Sequence, residues 1–418
     1  MKWNYSQDME CIRCADNTPL IFSSGNGAFL FDVNNKNYID FCNGFGSVLL
    51  GYNDADVNNA IKELVCRNKT SLNVPTDYFV KLQNILIKDF TQKESLALFN
   101  NGTSALRAAA LITQEFAGKK IIMSSGYHGW DPMWHKTKVP FAPNDYGVID
   151  FFFVLEKLEE LICTHKNLIA SVIISPDITY FSETYYRQLF DICHKNNIMI
   201  VLDEVKTGYR YNSASCLDMN KYEADVYIVS KGLANGSKIS CIISNKDILS
   251  FSQEFCFTSY FEPLSAAIAV ATLSKLNKQN VQSCIATAGN KFIENLKLYL
   301  GELNLPIEIR GNGNLFQFIF ADDKASNIFY SESINNGLRF FNEDNQCLSF
   351  AFDENVCNEA LERTKKVIKI LDEKHPGYTN MAITNERIAL TAYNQVDGII
   401  EDLPINQKYD LINKLYEN

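Results

Sequence analysis

Short apolar runs alternate with helical periodicities through the middle of the chain. Residues 96–99, 120–123, 170–174, 198–202 and 226–229 are compact stretches rich in Leu, Ile, Val and Ala, each closed by a polar or Gly-containing segment. Runs of this length, apolar on both faces, predict strands buried inside a sheet. The stretches 105–111, 152–163 and 185–195 read as helices and lie between or before them. Strand and helix in alternation predict an α/β fold on a mostly parallel sheet with helices on both faces.

The two ends of the chain carry a different pattern. Residues 32–36 (Asp32-Val33-Asn34-Asn35-Lys36) signal a hairpin, and the strand candidates 306–310 and 315–320 flank a second turn candidate at 311–314. These features predict a large domain over residues 55–275 and a smaller α+β domain that joins the N-terminal segment 1–54 to the C-terminal part 276–418. The chain contains no internal repeat and no low-complexity tract.

With 418 residues and 46% hydrophobic content, the chain can bury a large core. Its net charge of −10 argues against nucleic acid or an anionic membrane surface as the main partner. No stretch approaches the roughly eighteen uninterrupted apolar residues of a membrane span. Twelve cysteines are spread from Cys11 to Cys357, and the only close pair, Cys11 and Cys14, lacks the second pair that a zinc site requires. No metal site is expected. The polar start Met1-Lys2-Trp3-Asn4-Tyr5 is unlike a signal peptide, so the expectation is a reducing cytoplasm and free thiols.

Candidate chemistry collects where the apolar runs end. Lys231 follows the run 226–229 and enters a Gly-bounded turn, Gly232 to Gly236; partial loss of water there favours the neutral amine that forms an imine. Asp203 closes the run 198–202, twenty-eight residues upstream, a spacing that allows one strand-connection-strand step. Phe99-Asn100-Asn101-Gly102-Thr103-Ser104 passes from a strand into an Ala-rich helix, whose first N–H groups and hydroxyls suit a phosphate. Gly126-Tyr127-His128-Gly129-Trp130 follows another strand and offers aromatic faces to a flat ring. Taken singly, each has a plainer reading: a surface lysine, an acidic helix cap or metal-ligand pair, an ordinary N-cap, a packing loop. Together they supply what pyridoxal phosphate requires, an imine-forming lysine and a carboxylate that keeps the pyridine nitrogen protonated.

These residues resemble the class III, fold-type I pyridoxal phosphate aminotransferases, and most of all their glutamate-1-semialdehyde aminomutase-like branch. Asp203-Glu204-Val205-Lys206-Thr207-Gly208-Tyr209-Arg210 is similar to the family's most specific signature, Asn101-Gly102-Thr103-Ser104-Ala105 to its phosphate cup, and Gly126-Tyr127-His128-Gly129 to its ring-stacking motif. Residues 29–41 are similar to its early hairpin, 49–53 to the segment that follows, and 258–264 to a segment whose threonine reaches the neighbouring subunit's phosphate. The likeness runs in register from about residue 15 to residue 275, and more loosely to the end.

The resemblance implies Lys231 as the Schiff-base lysine, Asp203 as partner of the pyridinium nitrogen and Tyr127 as the stacking ring. His128 belongs to the same cofactor site. Gly102, Thr103 and Ser104, with Thr258 across a homodimer interface, hold the phosphate. It implies an amino donor and a carbonyl acceptor as substrates, in an active site shared by two subunits. Departures fall near the substrate side: Ser175-Pro176-Asp177 where the family commonly carries Glu-Pro, no proline in the turn 236–240, and Tyr260 and Phe261 where small residues are common. Read from the sequence, none of them touches Lys231 or Asp203. Phe45, Trp130, Trp134, Tyr260 and Phe261 are candidate pocket linings, and Arg210 and Arg310 candidate carboxylate binders. Segments 48–52 and 127–130 are similar to branch members associated with surface-polysaccharide or amino-sugar pathways. Three functions stand: an aminotransferase acting on an aldehyde or ketone, sugar-derived in this reading; an aminomutase; and a non-catalytic scaffold, against which the presence of both Lys231 and Asp203 counts.

Overall fold

The computed structural model describes residues 19–134 and 147–388, apart from residues 212, 213, 343 and 386, together with Thr391. The Cys11/Cys14 pair and the first residues of the chain lie outside the described residues. Among the described residues fourteen strands form: β1 (Phe22–Asn26), β2 (Phe29–Asp32), β3 (Asn37–Asp40), β4 (Ser95–Phe99), β5 (Ile121–Ser125), β6 (Val148–Asp150), β7 (Ile169–Ile174), β8 (Met199–Glu204), β9 (Val226–Val229), β10 (Ser240–Ser244), β11 (Ile307–Asn312), β12 (Leu315–Phe320), β13 (Leu338–Arg339) and β14 (Gln346–Cys347). The α-helical segments are α1 (Asn43–Gly46), α2 (Ala55–Cys66), α3 (Asp77–Asp89), α4 (Gly102–Ala117), α5 (Leu155–His165), α6 (Glu183–Lys195), α7 (Lys246–Leu249), α8 (Pro263–Gln279), α9 (Val281–Glu302), α10 (Asp323–Asn335) and α11 (Glu354–Lys374). Two compact units result, one from residues up to 55 with 283–388 and the other centred on 56–282.

The second unit is an α/β layer structure on a seven-stranded sheet in the order β4-β10-β9-β8-β7-β5-β6. All six residues of β7 and all four of β9 are buried, as strands covered on both faces must be. Helix α4 lies across this sheet through a face of small residues, Ala105, Ala108 and Ala109, and ends at Gly118, whose φ of 62° closes the helix in the left-handed conformation. Helix α5 starts three residues later than the sequence pattern begins, because Phe152 and Phe153 have positive φ and form a turn held by the Asp150 carboxylate.

The sequence reading omitted β10, the one strand that runs against the others. Its apolar centre is short and serines close both ends. Those serines work within the sheet: Ser240 Oγ donates to the Val229 carbonyl at 3.0 Å and Ser244 Oγ to the Asp225 carbonyl at 2.7 Å.

The first unit holds the sheets β1-β2-β3-β13 and β11-β12-β14. The β2–β3 hairpin forms where the sequence predicts it, with the Asp32 carboxylate accepting from the N–H groups of Asn34 and Lys36. An aromatic core fills this unit. Phe41 meets Phe340 at 4.5 Å between centroids, and Phe329 meets Phe318 at 4.9 Å and Phe340 at 5.5 Å. Buried Asp40 braces it by accepting from Arg339 at 2.9 Å and from the Tyr52 hydroxyl at 2.5 Å. Burial pushes the nearby Cys42 thiol up to about 12, so it stays protonated and inert at neutral pH.

Among the described residues, no helix is long and apolar enough to cross a membrane, and no cluster of three His, Cys, Asp or Glu side chains could hold a metal.

Phe329 is fully buried at the centre of the aromatic core. Phe329→Ala is expected to lower stability by about 3–5 kcal/mol through lost burial and a residual cavity, read as a lower denaturant midpoint.

Candidate active site

Strand direction gathers the candidate residues at one edge. β9, β8, β7, β5 and β6 are mutually parallel, and β4, antiparallel to β10, which is antiparallel to β9, points the same way. Open α/β sheets bind ligands at this carboxyl edge. Register then fixes neighbours: Ser125 pairs with Ile174, Ile174 with Leu202, and Asp203 with Ile228. Ser175, Asp203 and the loop that starts at Gly126 therefore stand side by side, with Lys231 just beyond the end of the next strand.

Asp203 and His128 are almost wholly buried, 3% and 0% exposed. A buried carboxylate costs several kcal/mol unless donors surround it, and here three do. His128 Nδ1 lies 2.8 Å from Asp203 Oδ2, Ser175 Oγ lies 2.8 Å from the same oxygen, and the Val205 N–H donates to Oδ1 at 3.1 Å. Trp134 packs against the His128 ring at 4.9 Å, and His128 Nε2 has no hydrogen-bond partner among the described residues. Tyr127, next along the loop, is 53% exposed and presents its ring at the sheet edge.

Lys231 is half-buried and has a φ of 33°. A non-glycine residue in the left-handed region carries strain of about 1–3 kcal/mol. The surrounding turn fixes it: Ser230 Oγ donates to the Ile239 carbonyl at 2.9 Å, the Leu233 N–H donates to the Ser230 carbonyl at 2.8 Å, and Ser237 and Ser265 share a hydroxyl contact at 2.9 Å.

Gly102, Thr103 and Ser104 open α4, a sixteen-residue helix whose first N–H groups have no intrahelical acceptors. The Asn101 side chain takes the Ser104 N–H at 2.9 Å, which leaves the backbone N–H groups of Gly102 and Thr103 as the donors of the first turn. A Cβ on Gly102 would come within 2.9 Å of Val205, the residue after the Asp203-Glu204 pair, so this turn and the end of β8 require each other's shape. Gly129, with a φ of 92°, likewise lies against Thr103. The ion pair of Arg107 with Asp131 at 2.8 Å ties the aromatic loop to α4, a link that no motif in the sequence announces.

An anion-binding helix start, an exposed aromatic plate, a buried carboxylate and a strained lysine along one edge fit the phosphate, ring, pyridine nitrogen and aldehyde of pyridoxal phosphate. Thr258 is exposed in the turn before α8.

Several outer candidates have other employment. Arg210 is 1% exposed and donates Nε to the Lys206 carbonyl, and Arg310 pairs with Glu308 at 2.5 Å, so neither is a carboxylate binder awaiting substrate. Trp134 is buried behind His128. Phe261 packs on Phe79 at 5.3 Å and Tyr260 on Phe257 at 5.3 Å. Trp130 is 72% exposed and belongs to the rim. Ser175, a departure read from the sequence as not touching Asp203, does touch it: the adjacency of β7 and β8 puts its hydroxyl on that carboxylate.

Glu204 points to the opposite face of β8 from Asp203 and is fully buried. It accepts from the hydroxyls of Thr207 and Ser215 and from the Cys216 N–H at 3.1 Å. Burial outweighs these donors and holds its pKa above the ordinary 4.5. In the window between 4.5 and that raised value, the folded chain binds a proton that the unfolded chain does not, so this group's contribution to stability falls as pH rises. Glu204→Gln is expected to remove that slope. Denaturant midpoints of the two proteins from pH 4.5 upward should diverge in favour of the variant, and parallel curves would contradict the assignment.

The Aminotransferase class-III family profile matches residues 12–368. The chain is 27% identical over 352 residues to the 2'-deamino-2'-hydroxyneamine transaminase of Streptomyces kanamyceticus, covering 82% of this chain and 89% of that protein. It is 27% identical over 352 residues to the glutamate-1-semialdehyde 2,1-aminomutase of Nitrosopumilus maritimus strain SCM1, covering 78% and 82%. The solved FumI protein of Sphingopyxis sp. MTA144 superposes with a TM-score of 0.80 at 20% identity, over 91% of this chain and 94% of that one. With more than half of its length matched to the family profile and the fold shared, the chain belongs to the class III aminotransferases, fold-type I enzymes that use pyridoxal phosphate to move an amino group from a donor to a carbonyl acceptor.

Proposed function

We propose that this enzyme aminates a sugar-derived ketone or aldehyde through a site built on Lys231 and Asp203. The observation that carries the site assignment is the common edge: Asp203, held by His128 and Ser175, lies on the strand next to the one that ends before Lys231. The sugar-derived acceptor is supported by the likeness to a transaminase named for 2'-deamino-2'-hydroxyneamine and by the exposed ring of Trp130, which suits the flat face of a sugar.

Bound pyridoxal phosphate supplies an aldehyde carbon and a ring that withdraws electrons when its nitrogen is protonated. The remaining work falls to the chain. Gly102 and Thr103 hold the phosphate at the positive end of α4. The Tyr127 ring would lie against the cofactor ring. Asp203 would keep the ring nitrogen protonated, and His128 and Ser175 hold that carboxylate in place. The Lys231 amine would hold the aldehyde, and as a free amine it would carry the proton to and from the substrate carbon as general base and acid.

The phosphate site is completed by Thr258 from a second copy of the chain, in a homodimer. This is supported by the exposed apolar side chains Val65, Leu72, Val74 and Val80 around α2 and α3, and by the packing of α3 through Phe79 onto Phe261 beside the Thr258 turn. The free thiols among the described residues support a cytoplasmic location.

Asp203→Asn is expected to retain the cofactor and slow amino transfer by about a thousandfold, each tenfold corresponding to about 1.4 kcal/mol of transition-state stabilisation. Stopped-flow absorbance during a single half-reaction with an amino donor reads both properties. Steady-state assays separate the two enzymatic readings: product that requires a donor and a keto-sugar acceptor supports the transferase, and turnover of a single amino aldehyde with no donor supports the aminomutase.

A further inference from the structure

We infer that Ser175 is a positioning residue that orients the Asp203 carboxylate and ties it to the loop carrying Tyr127. The inference rests on the reading of Asp203 as the partner of the cofactor's ring nitrogen.

Four contacts converge on this one residue. Its backbone N–H donates to the Ser125 carbonyl at 3.1 Å, which fixes where β7 ends relative to β5. Its Oγ lies 2.8 Å from Asp203 Oδ2, 3.0 Å from the Tyr127 carbonyl and 3.2 Å from His128 Nδ1. A hydroxyl has one hydrogen to donate. Given to Tyr127, it would leave the hydroxyl oxygen facing a carboxylate oxygen at 2.8 Å; given to Asp203, it leaves the hydroxyl oxygen facing only a neutral carbonyl, at the longer 3.0 Å. The carboxylate is also the stronger acceptor. The hydrogen therefore goes to Asp203 Oδ2, and His128 Nδ1–H reaches the same oxygen from its own side. With Val205 N–H on Oδ1, three of the roughly four lone-pair positions of the carboxylate are used, and the remaining one belongs to Oδ1.

The backbone has no slack here. Gly126 has a φ of 106°, and a Cβ on it would come within 2.7 Å of Ser175 Cβ, so the loop from β5 closes directly onto Ser175. Asp203 is thus held by the Ser175 hydroxyl, and the loop that carries Tyr127 by the close packing of Gly126 against the same small residue. The family resembled by this chain commonly carries glutamate at this place. A hydroxyl can donate to Asp203 without adding a second negative charge beside it, which a glutamate carboxylate cannot do.

The test is equilibrium titration of the full-length apoprotein with pyridoxal phosphate, followed by absorbance, for wild type, Ser175→Ala and Ser175→Thr, each also in an Asp203→Asn background. The pH midpoint of the bound cofactor's visible band is measured for the three proteins that retain Asp203. With Asp203 retained, Ser175→Ala is expected to weaken cofactor binding about tenfold, in line with one hydrogen bond to a charged group, and to move the pH midpoint by at least about half a unit. Ser175→Thr, which keeps the hydroxyl, should stay within about threefold of wild type with an unmoved midpoint. With Asp203→Asn, the alanine change should cost less than about twofold, because a residue acting through a carboxylate loses its effect when the carboxylate is gone. Equal losses in both backgrounds, an unmoved midpoint in Ser175→Ala, or threonine no better than alanine would each assign Ser175 to packing and overturn the inference while leaving the aminotransferase reading intact. A wild-type protein that takes up no pyridoxal phosphate would overturn that reading and the inference with it.

Discussion

A carboxylate buried at the end of a central strand has to be surrounded by donors, and that requirement orders the site. Asp203 is 3% exposed, and the groups that make its burial tolerable come from three different strand ends: His128 after β5, Ser175 after β7 and Val205 after β8 itself. Each donor is useful only if those strands are adjacent and in register, so the parallel pairing of β5, β7 and β8 and the charge at their edge depend on one another. The glycines at 102, 126 and 129 belong to the same constraint, since each allows a loop to close onto a neighbour that a side chain would displace.

Glu204 shows how differently the two faces of one strand can treat an acid. Asp203 and Glu204 are adjacent in sequence and point to opposite sides of β8, as the two-residue period of a strand demands. Asp203 opens toward the edge where a ligand can complete its surroundings. Glu204 is enclosed by Thr207, Ser215 and Cys216, which lock the segment following β8 against the sheet. One acid lies at the sheet edge, and the other anchors the segment that follows the strand.

Much of this was legible in the sequence because strand ends and helix starts are local events. The runs ending before Gly102, Gly126 and Lys231 are marked by apolar stretches that stop at glycine or charge, and the structure turns the chain at each of them, whereas the run before Asp203 continues as strand through Glu204. What was not legible depends on partners far away in the chain. Ser175 was visible as a departure from a family pattern, but its contact with Asp203 exists only because β7 lies beside β8 in one particular register. Arg210 looked like an available guanidinium and is buried, because the sequence does not say which carbonyls will fold around a charge. The strand β10 escaped notice since its serines satisfy themselves on neighbouring carbonyls, a pairing that requires the sheet to exist first. Trp134 read as a pocket wall and is the packing behind His128.

The assignment of Lys231 as the residue that holds the cofactor is the claim on which the account turns, and its place carries it: Lys231 follows β9, the strand paired with the one that carries Asp203, on a turn fixed by the Ser230 hydroxyl. The most direct test loads the purified protein with pyridoxal phosphate, reduces it with borohydride and maps the modified peptide by mass spectrometry. The account predicts a phosphopyridoxyl group on Lys231 at close to one per chain, and none after Lys231→Ala. A label carried by another lysine, such as Lys206 or Lys238, or a wild-type protein that takes up no label, would contradict it.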